Sequence, residues 1–187
     1  MFKNLVMVVI STSVIFNSAL FAQDSEKTET QYAQEITKTL LQTLGKNLKM
    51  HMKKEGPLGA AKFCTLEALN ITESVNVKYG EKVDVKRISL KYRNPVNKPT
   101  QEEAKVLEKL EQLKLEGKLP KIYVQKNEKA NVYYKPLVIK KNVCLKCHGN
   151  IAKPELKAYL STTYVDDKAL GYKMGDLRGA IVVTITK

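Results

Sequence analysis

Three residues within five positions carry the chemistry of this sequence. In the stretch NVCLKCHGN, Cys144 and Cys147 are separated by two residues, and His148 follows at once. C-x-x-C-H is the attachment pattern of c-type haem. Two thiols spaced in this way can add across the two vinyl groups of a porphyrin. The imidazole of the next residue then lies against the iron as an axial ligand. A dithiol–disulfide couple of Cys144 and Cys147 would leave His148 without a role, and the βαβ setting of thioredoxin-like proteins is missing. A zinc site built from Cys64, Cys144, Cys147 and His148 is the other alternative. Adjacent residues such as Cys147 and His148 rarely both reach one tetrahedral ion. One covalently attached haem c is the cofactor expected here.

With His148 on one side of the iron, the ligand on the other side decides what the site does. An open position permits small-ligand binding or peroxide chemistry, whereas a second strong ligand favours electron transfer or sensing. Candidates are Cys64, His51 and the methionines Met50, Met52 and Met174. Cys64 is the sharpest of them. It falls on a predicted helix, GPLGAAKFCTLEALNI, with Ala60, Ala61 and Ala68 three or four positions away and Ile71 beyond. Small side chains on that face let a flat porphyrin come close while the longer sulfur reaches the iron. Ferric iron also lowers a thiol's pKa, so a thiolate suits the position. The plainer alternative is a buried free cysteine. His51 sits near a helix end among lysines and reads as a surface residue.

The setting agrees with covalent haem. The chain opens with Lys3, an apolar run from Leu5 to Phe16, and small residues up to Ala22. This is the pattern of a secretory leader with a cut after Ala22. The run is too short to span a bilayer, which takes about 20 residues. No cysteine stands near the cut, so a lipid anchor is not expected. An exported, periplasmic location follows, with residues 23–187 as one haem c-binding domain. Over 187 residues, 32 Lys+Arg stand against 19 Asp+Glu. The excess is mostly lysine and spread along the chain, with no arginine-rich run and no basic stripe interleaved with aromatics. That pattern argues for a solvated basic surface and against a nucleic-acid partner. It suits a ligand that brings its own carboxylates.

The elements that must position these residues read as follows. Residues 23–30 are polar and expected to be irregular. Ile36, Leu40, Leu44 and Leu48 recur at helical spacing up to about Met52. Gly56 ends that helix, and Pro57 starts a second one that runs to about Ile71. ESVNVKYGEK after it reads as loop. Val83, Val85, Arg87 and Ser89 alternate with Asp84, Lys86, Ile88 and Leu90 in a predicted strand. A rigid loop with two prolines, RNPVNKPT, follows. Thr100 and Glu103 then form a capping box ahead of a helix carrying Val106, Leu110 and Leu113. PKIYVQKN and NVYYKPLVIKK read as a hairpin, the cysteine segment as a short helix, and the tail AIVVTITK as a strand. Helices first and strands after them predict an α+β fold with an antiparallel sheet.

FCTLEALNI, LKYRNPVNKPT, YYKPLVIKKNVCLKCHG and YVDDKALGYKMGDLRGAIVV, in this order, carry a family resemblance. The sequence resembles the c-type haem-binding domains of PAS-like fold, first characterised in cyanobacteria and formerly a domain of unknown function. The resemblance implies a PAS-like antiparallel sheet with N-terminal helices, and His/Cys axial ligation by His148 and Cys64. It implies that Arg93 and Asn94, on the rigid loop, hold the haem edge or a propionate, with Tyr134 and Lys135 in similar service. Gly171, Gly175 and Gly179 read as turn residues. The function implied is a redox or small-gas-ligand sensor, often fused to a kinase. No kinase part and no transmembrane helix follow the leader here, so sensing would need a separate signalling or redox partner protein. The alternative is a periplasmic electron-transfer cytochrome c. An enzyme is not expected, because no distal His/Arg pair is found.

Overall fold

The computed structural model of the protein describes residues 18–187, with side chains from Thr28 onward. Most of the leader expected over residues 1–22 lies outside the described residues. The elements are α1 (Ser18–Leu66), α2 (Ala68–Tyr79), β1 (Val83–Ile88), a 3₁₀ turn (Pro95–Asn97), α3 (Gln101–Leu115), β2 (Tyr123–Lys126), β3 (Ala130–Val138), α4 (Asn142–His148), α5 (Pro154–Thr163) and β4 (Leu177–Thr186). No described helix is long and apolar enough to cross a membrane.

The four strands form one antiparallel sheet in the order β1-β4-β3-β2. The fold is α+β, as the element order predicted. β4 lies inside the sheet and is buried on both faces, which explains its unbroken run of β-branched residues. On one face, Ala33, Ile36 and Leu40 of α1 and Val75 of α2 pack on Val83, Val85, Tyr133, Ile181 and Val183. On the other, Val106, Leu107 and Leu110 of α3 pack on Ile88, Tyr134, Ala180 and Val182. The period of two along β1 and β4 sorts their side chains between these layers. Arg87 follows Val83 and Val85 on the α1/α2 face, and its Nη2 donates to the Ala68 carbonyl at 3.3 Å. Lys86, facing the other way, pairs with Glu103 of α3 at 2.7 Å.

α1 is two helices joined at a kink. Gly56 takes φ 69°, ψ −162°, a conformation open to glycine at little cost, and Pro57 restarts the helix. His51 and Phe63 stack across the kink with ring centres 5.0 Å apart. The capping box at Thr100 and Glu103 is formed in both directions. The expected hairpin is β2–β3, and the cysteine segment is α4.

Three expectations fail. Residues 23–30 belong to α1 rather than to an irregular stretch. Glu29 there accepts hydrogen bonds from Asn131 Nδ2 and the Tyr133 hydroxyl, both at 3.0 Å, which ties the helix to β3. ESVNVKYGEK is mostly helix: the second limb of α1 stops at Leu66, and α2 runs on to Tyr79. Its residues are weak helix formers, but Val75 is buried and Asn76 holds β1. The Asn76 Oδ1 accepts from the Val85 N–H at 2.6 Å, and its Nδ2 donates to the Val85 carbonyl at 3.3 Å. Tertiary contacts override propensity there. Gly179 lies inside β4 and is not a turn residue.

Gly179 matters because of a bulge. Leu137 pairs with Gly179 and Val138 with Leu177, so Arg178 is the extra residue of β4. Gly179 takes φ 150°, and a Cβ there would overlap the Ile88 carbonyl oxygen. Gly179→Ala should therefore cost about 1–3 kcal/mol through forced separation of β1 from β4. Urea unfolding checks this, and a cost within error of zero would show that the strands adjust freely.

Candidate functional site

α4 is only seven residues long, yet it sets the geometry of the motif. Cys147 and His148 stand three and four positions after Cys144, so all three share one helical side. They line a cleft of about 360 Å³ between α4, the kinked α1 and the ends of β1 and β3. Cys64 lines the same cleft, from the second limb of α1. The chain's three cysteines thus converge, and none is paired in a disulfide. That is against a Cys144–Cys147 disulfide. Among the described residues no group of three or more His, Cys, Asp or Glu is disposed to hold a metal ion, so the zinc alternative has no support.

His148 is held from behind. Its Nδ1 lies 3.0 Å from the Ala169 carbonyl oxygen. A carbonyl only accepts, so Nδ1 carries the hydrogen and Nε2 keeps its lone pair. The Tyr172 N–H donates to the His148 carbonyl at 2.9 Å, and the Tyr172 ring meets the imidazole edge-on. Burial holds the imidazole pKa well below its ordinary value, with help from the nearby charges of Arg178 and Arg93. A neutral ring with one free nitrogen is what a metal ligand requires.

Arg93 fixes the carbonyl that fixes His148. Its Nε pairs with Asp167 Oδ2 at 2.8 Å, and one Nη donates to the Cys147 carbonyl at 2.7 Å and to the Ala169 carbonyl at 3.4 Å. Asp167 Oδ1 accepts from the Ala169 N–H at 2.8 Å. The pair is nearly closed to solvent, with side-chain exposures of 13% and 7%. Arg93 therefore staples the α4 motif to the loop after α5.

Cys64 lines the cleft and is exposed to it. Burial pushes its thiol pKa up, and the positive charges of Arg87 and Arg93 oppose that rise. Cys147 is likewise raised by burial, and its Sγ lies 4.0 Å from the Pro57 carbonyl at the α1 kink. α5 buttresses the limb that carries Cys64. Leu156 and Leu160 pack on Ala61, and the Tyr164 hydroxyl donates to Thr65 Oγ1 at 3.0 Å.

The remaining candidates separate clearly. Met52 lines the cleft, whereas His51 is stacked on Phe63 and bonded to Glu55 outside its lining. Met50 and Met174 are exposed on the surface. Asn94 lines the cleft and caps the 3₁₀ turn, its Oδ1 accepting from the Val96 N–H at 3.1 Å. Tyr134 and Lys135 do not reach the cleft. Tyr134 is core, bonded to Gln125, with its pKa pushed up to about 12 by burial, and Lys135 donates to the Lys121 carbonyl.

Sequence reasoning passed over Arg87, Arg178, Asp167 and Ala169. One signal was present. Arg87 occupies an inward position of an alternating strand, after two buried valines. The chain has three arginines, and all three line the cleft, while no lysine does. Arginine suits carboxylates through its planar fork. Two thiols on one helical side, a neutral histidine with Nε2 free, apolar walls such as Leu137, Val138 and Ile139, and guanidinium groups fit a tethered porphyrin.

Residues 11–186 match the family described as Tll0287-like: Tll0287. The chain belongs to the Tll0287-like family. Among solved structures, it is similar to the crystal structure of the cyanobacterial heme-protein Tll0287, with a TM-score of 0.59 and 22% identity over 88% of this chain and 96% of that one. At that identity the likeness shows the shared fold. No curated protein matches the chain. In this Tll0287-like chain the match spans every element that lines the cleft.

Two measurements probe the anchoring of His148. Arg93→Met leaves the Asp167 carboxylate buried without its partner and should cost about 3–5 kcal/mol in urea unfolding. A cost below about 1 kcal/mol, as for a surface pair, would show that the staple is not needed. The lowered pKa of His148 means that the unfolded chain binds a proton first as pH falls. Stability of the haem-free chain should therefore drop as pH falls below about 6.5, with a slope of up to about 1.4 kcal/mol per pH unit from this group. His148→Gln should flatten that slope, and an unchanged slope would assign it to other groups.

Proposed function

We propose that this chain is an exported c-type haem protein that senses redox state or a small diatomic ligand. In this reading Cys144 and Cys147 would carry the two thioether bonds, and His148 and Cys64 would hold the iron. The observation that carries it is the convergence of these four residues and all three arginines on one cleft. The family and the haem-protein neighbour support haem binding, and the leader-like N-terminus supports attachment outside the cytoplasm. PAS-like sensing by a partner protein, rather than turnover, is the role proposed.

Bound haem would supply a redox-active iron with a position that can open to nitric oxide or carbon monoxide. The residues of the chain do the rest. His148 presents Nε2 while Ala169 keeps the hydrogen on Nδ1. A thiolate from Cys64 would favour ferric iron, so a haem held there would supply a low-potential redox centre. The surroundings of Cys64 disfavour the free thiolate. Cys64 would hold the iron as the thiolate, and as the neutral thiol, which its surroundings favour, it would be the weaker ligand. The limb after Gly56 carries Cys64 and would be the element to respond, with Tyr164 and α5 as its brace.

Absorption spectra of the haem-loaded protein, with and without reductant, test this reading. The wild type should show a thiolate-ligated ferric spectrum that changes ligation on reduction. Cys64→Ala should lose the thiolate signature and raise the reduction potential. An unaltered ferric spectrum in Cys64→Ala would remove Cys64 as ligand. Retention of both ligands in both redox states would instead make the protein an electron carrier.

A further inference from the structure

The three arginines of the cleft are not electrostatically alike. Arg93 has its carboxylate, Asp167. Arg87 and Arg178 have none within ion-pair distance among the described residues. Arg87 donates to the Ala68 carbonyl, and Arg178 donates to Ser89 Oγ at 2.7 Å and to the Lys91 carbonyl at 3.2 Å. These partners are neutral. Asp167 acts on Arg178 only weakly and at a distance, and the ring of Tyr172 lies 5.3 Å from its guanidinium. Both side chains are half-buried, and burial lowers the pKa of each.

Half-buried cations without anions are costly unless something compensates them. The backbone takes trouble to place these two. The bulge in β4 leaves Arg178 as its extra residue, and Arg87 breaks the apolar face of β1. Arg87 and Arg178 line one recess of about 180 Å³ with Ser89, Asn97 and His148, continuous with the cleft. Both arginines and His148 line this one recess, so a ligand held by His148 has two uncompensated cations beside it.

We infer that Arg87 and Arg178 are the binding site for the two carboxylates of the planar ligand, a porphyrin dicarboxylate, with Asn97 as a neutral donor beside them. Arg93, already neutralised by Asp167, is the positioning residue for His148 and not the carboxylate anchor. This assignment rests on the haem reading above. It explains why a chain rich in lysine keeps its arginines for this cleft. Two carboxylates, each held by a forked donor, also fix which way round the porphyrin enters, and so bring its vinyl edge toward Cys144 and Cys147.

Metal-free mesoporphyrin IX tests the assignment, because it lacks both iron and vinyl groups and so reports on neither ligation nor thioether formation. The full chain, produced without haem attachment, is titrated with this diacid and with its dimethyl ester, and porphyrin fluorescence is read. The wild type should bind the diacid at least about 10-fold more tightly than the diester, the minimum expected of hydrogen bonds to a charged group. In the double variant Arg87→Gln/Arg178→Gln the gap should shrink to less than about 3-fold. Equal affinities for diacid and diester in the wild type would overturn the assignment, as would a full gap in the double variant or no binding of either porphyrin. The wild-type comparison needs no substitution, so it stands even if the variant fails to fold. Thioether haem in the exported protein is read separately from its alkaline pyridine spectrum. Loss of that haem with the diacid preference intact would sink the haem c reading and leave the carboxylate site standing.

Discussion

The ion pair between Arg93 and Asp167 is the interaction on which the site depends. It joins three segments that are remote in sequence: the loop after β1, the end of α4, and the loop after α5. One guanidinium meets the Asp167 carboxylate and the Cys147 and Ala169 carbonyls. Ala169 in turn meets His148. The orientation of the imidazole is therefore set by a charge pair two steps away rather than by α4 itself. A seven-residue helix without a side-chain cap could not hold a ligand still on its own. Because the pair is shut off from solvent, it is an all-or-nothing contact: intact it orders the loop, and with one partner gone it leaves a stranded charge.

The layers of the fold serve that arrangement. The sheet presents β1 and β4 side by side, so that Arg87 and Arg178 emerge on neighbouring strands at the edge of the α1/α2 layer. The kink at Gly56 then folds the second limb of α1 over the cleft, which brings Cys64 across from α4. A straight helix of that length would carry Cys64 past the body of the protein. One glycine conformation thus decides whether the lone cysteine and the C-x-x-C-H motif can share a cavity.

Sequence reasoning reached what is local. The C-x-x-C-H spacing, the capping box at Thr100, the Gly56–Pro57 break and the strand character of the tail are all written in neighbouring residues. It missed what is long-range. α2 is built from weak helix formers and exists because Val75 and Asn76 have partners on β1. Tyr134 and Lys135 fall in a promising motif, but the strand period turns Tyr134 into the α3 core. Asp167 carries no local mark at all, since its meaning depends on Arg93, 74 residues away. Arg87 was readable in principle as a charge at an inward position, and only the scarcity of arginine elsewhere gives that oddity its weight.

The two walls of the cleft are fastened by different means, and the difference bears on function. On the His148 side the ties run through backbone groups, with Ala169 and Tyr172 bonded to the ring and carbonyl of His148 and an ion pair behind them. On the Cys64 side the limb is held by the apolar contacts of Ala61 with α5 and by a single side-chain hydrogen bond from Tyr164, with Arg87 bonded just beyond it at Ala68 of α2. Apolar contacts are non-directional, so a limb held in this way can shift by a fraction of an ångström without breaking a specific bond. An electron carrier gains most from two walls that never move, because any change of ligation adds to the cost of each transfer. A switch needs one fixed wall and one that can yield. The firm anchoring of His148 beside the lighter hold on Cys64, whose thiolate is disfavoured by its own surroundings, supports the second design.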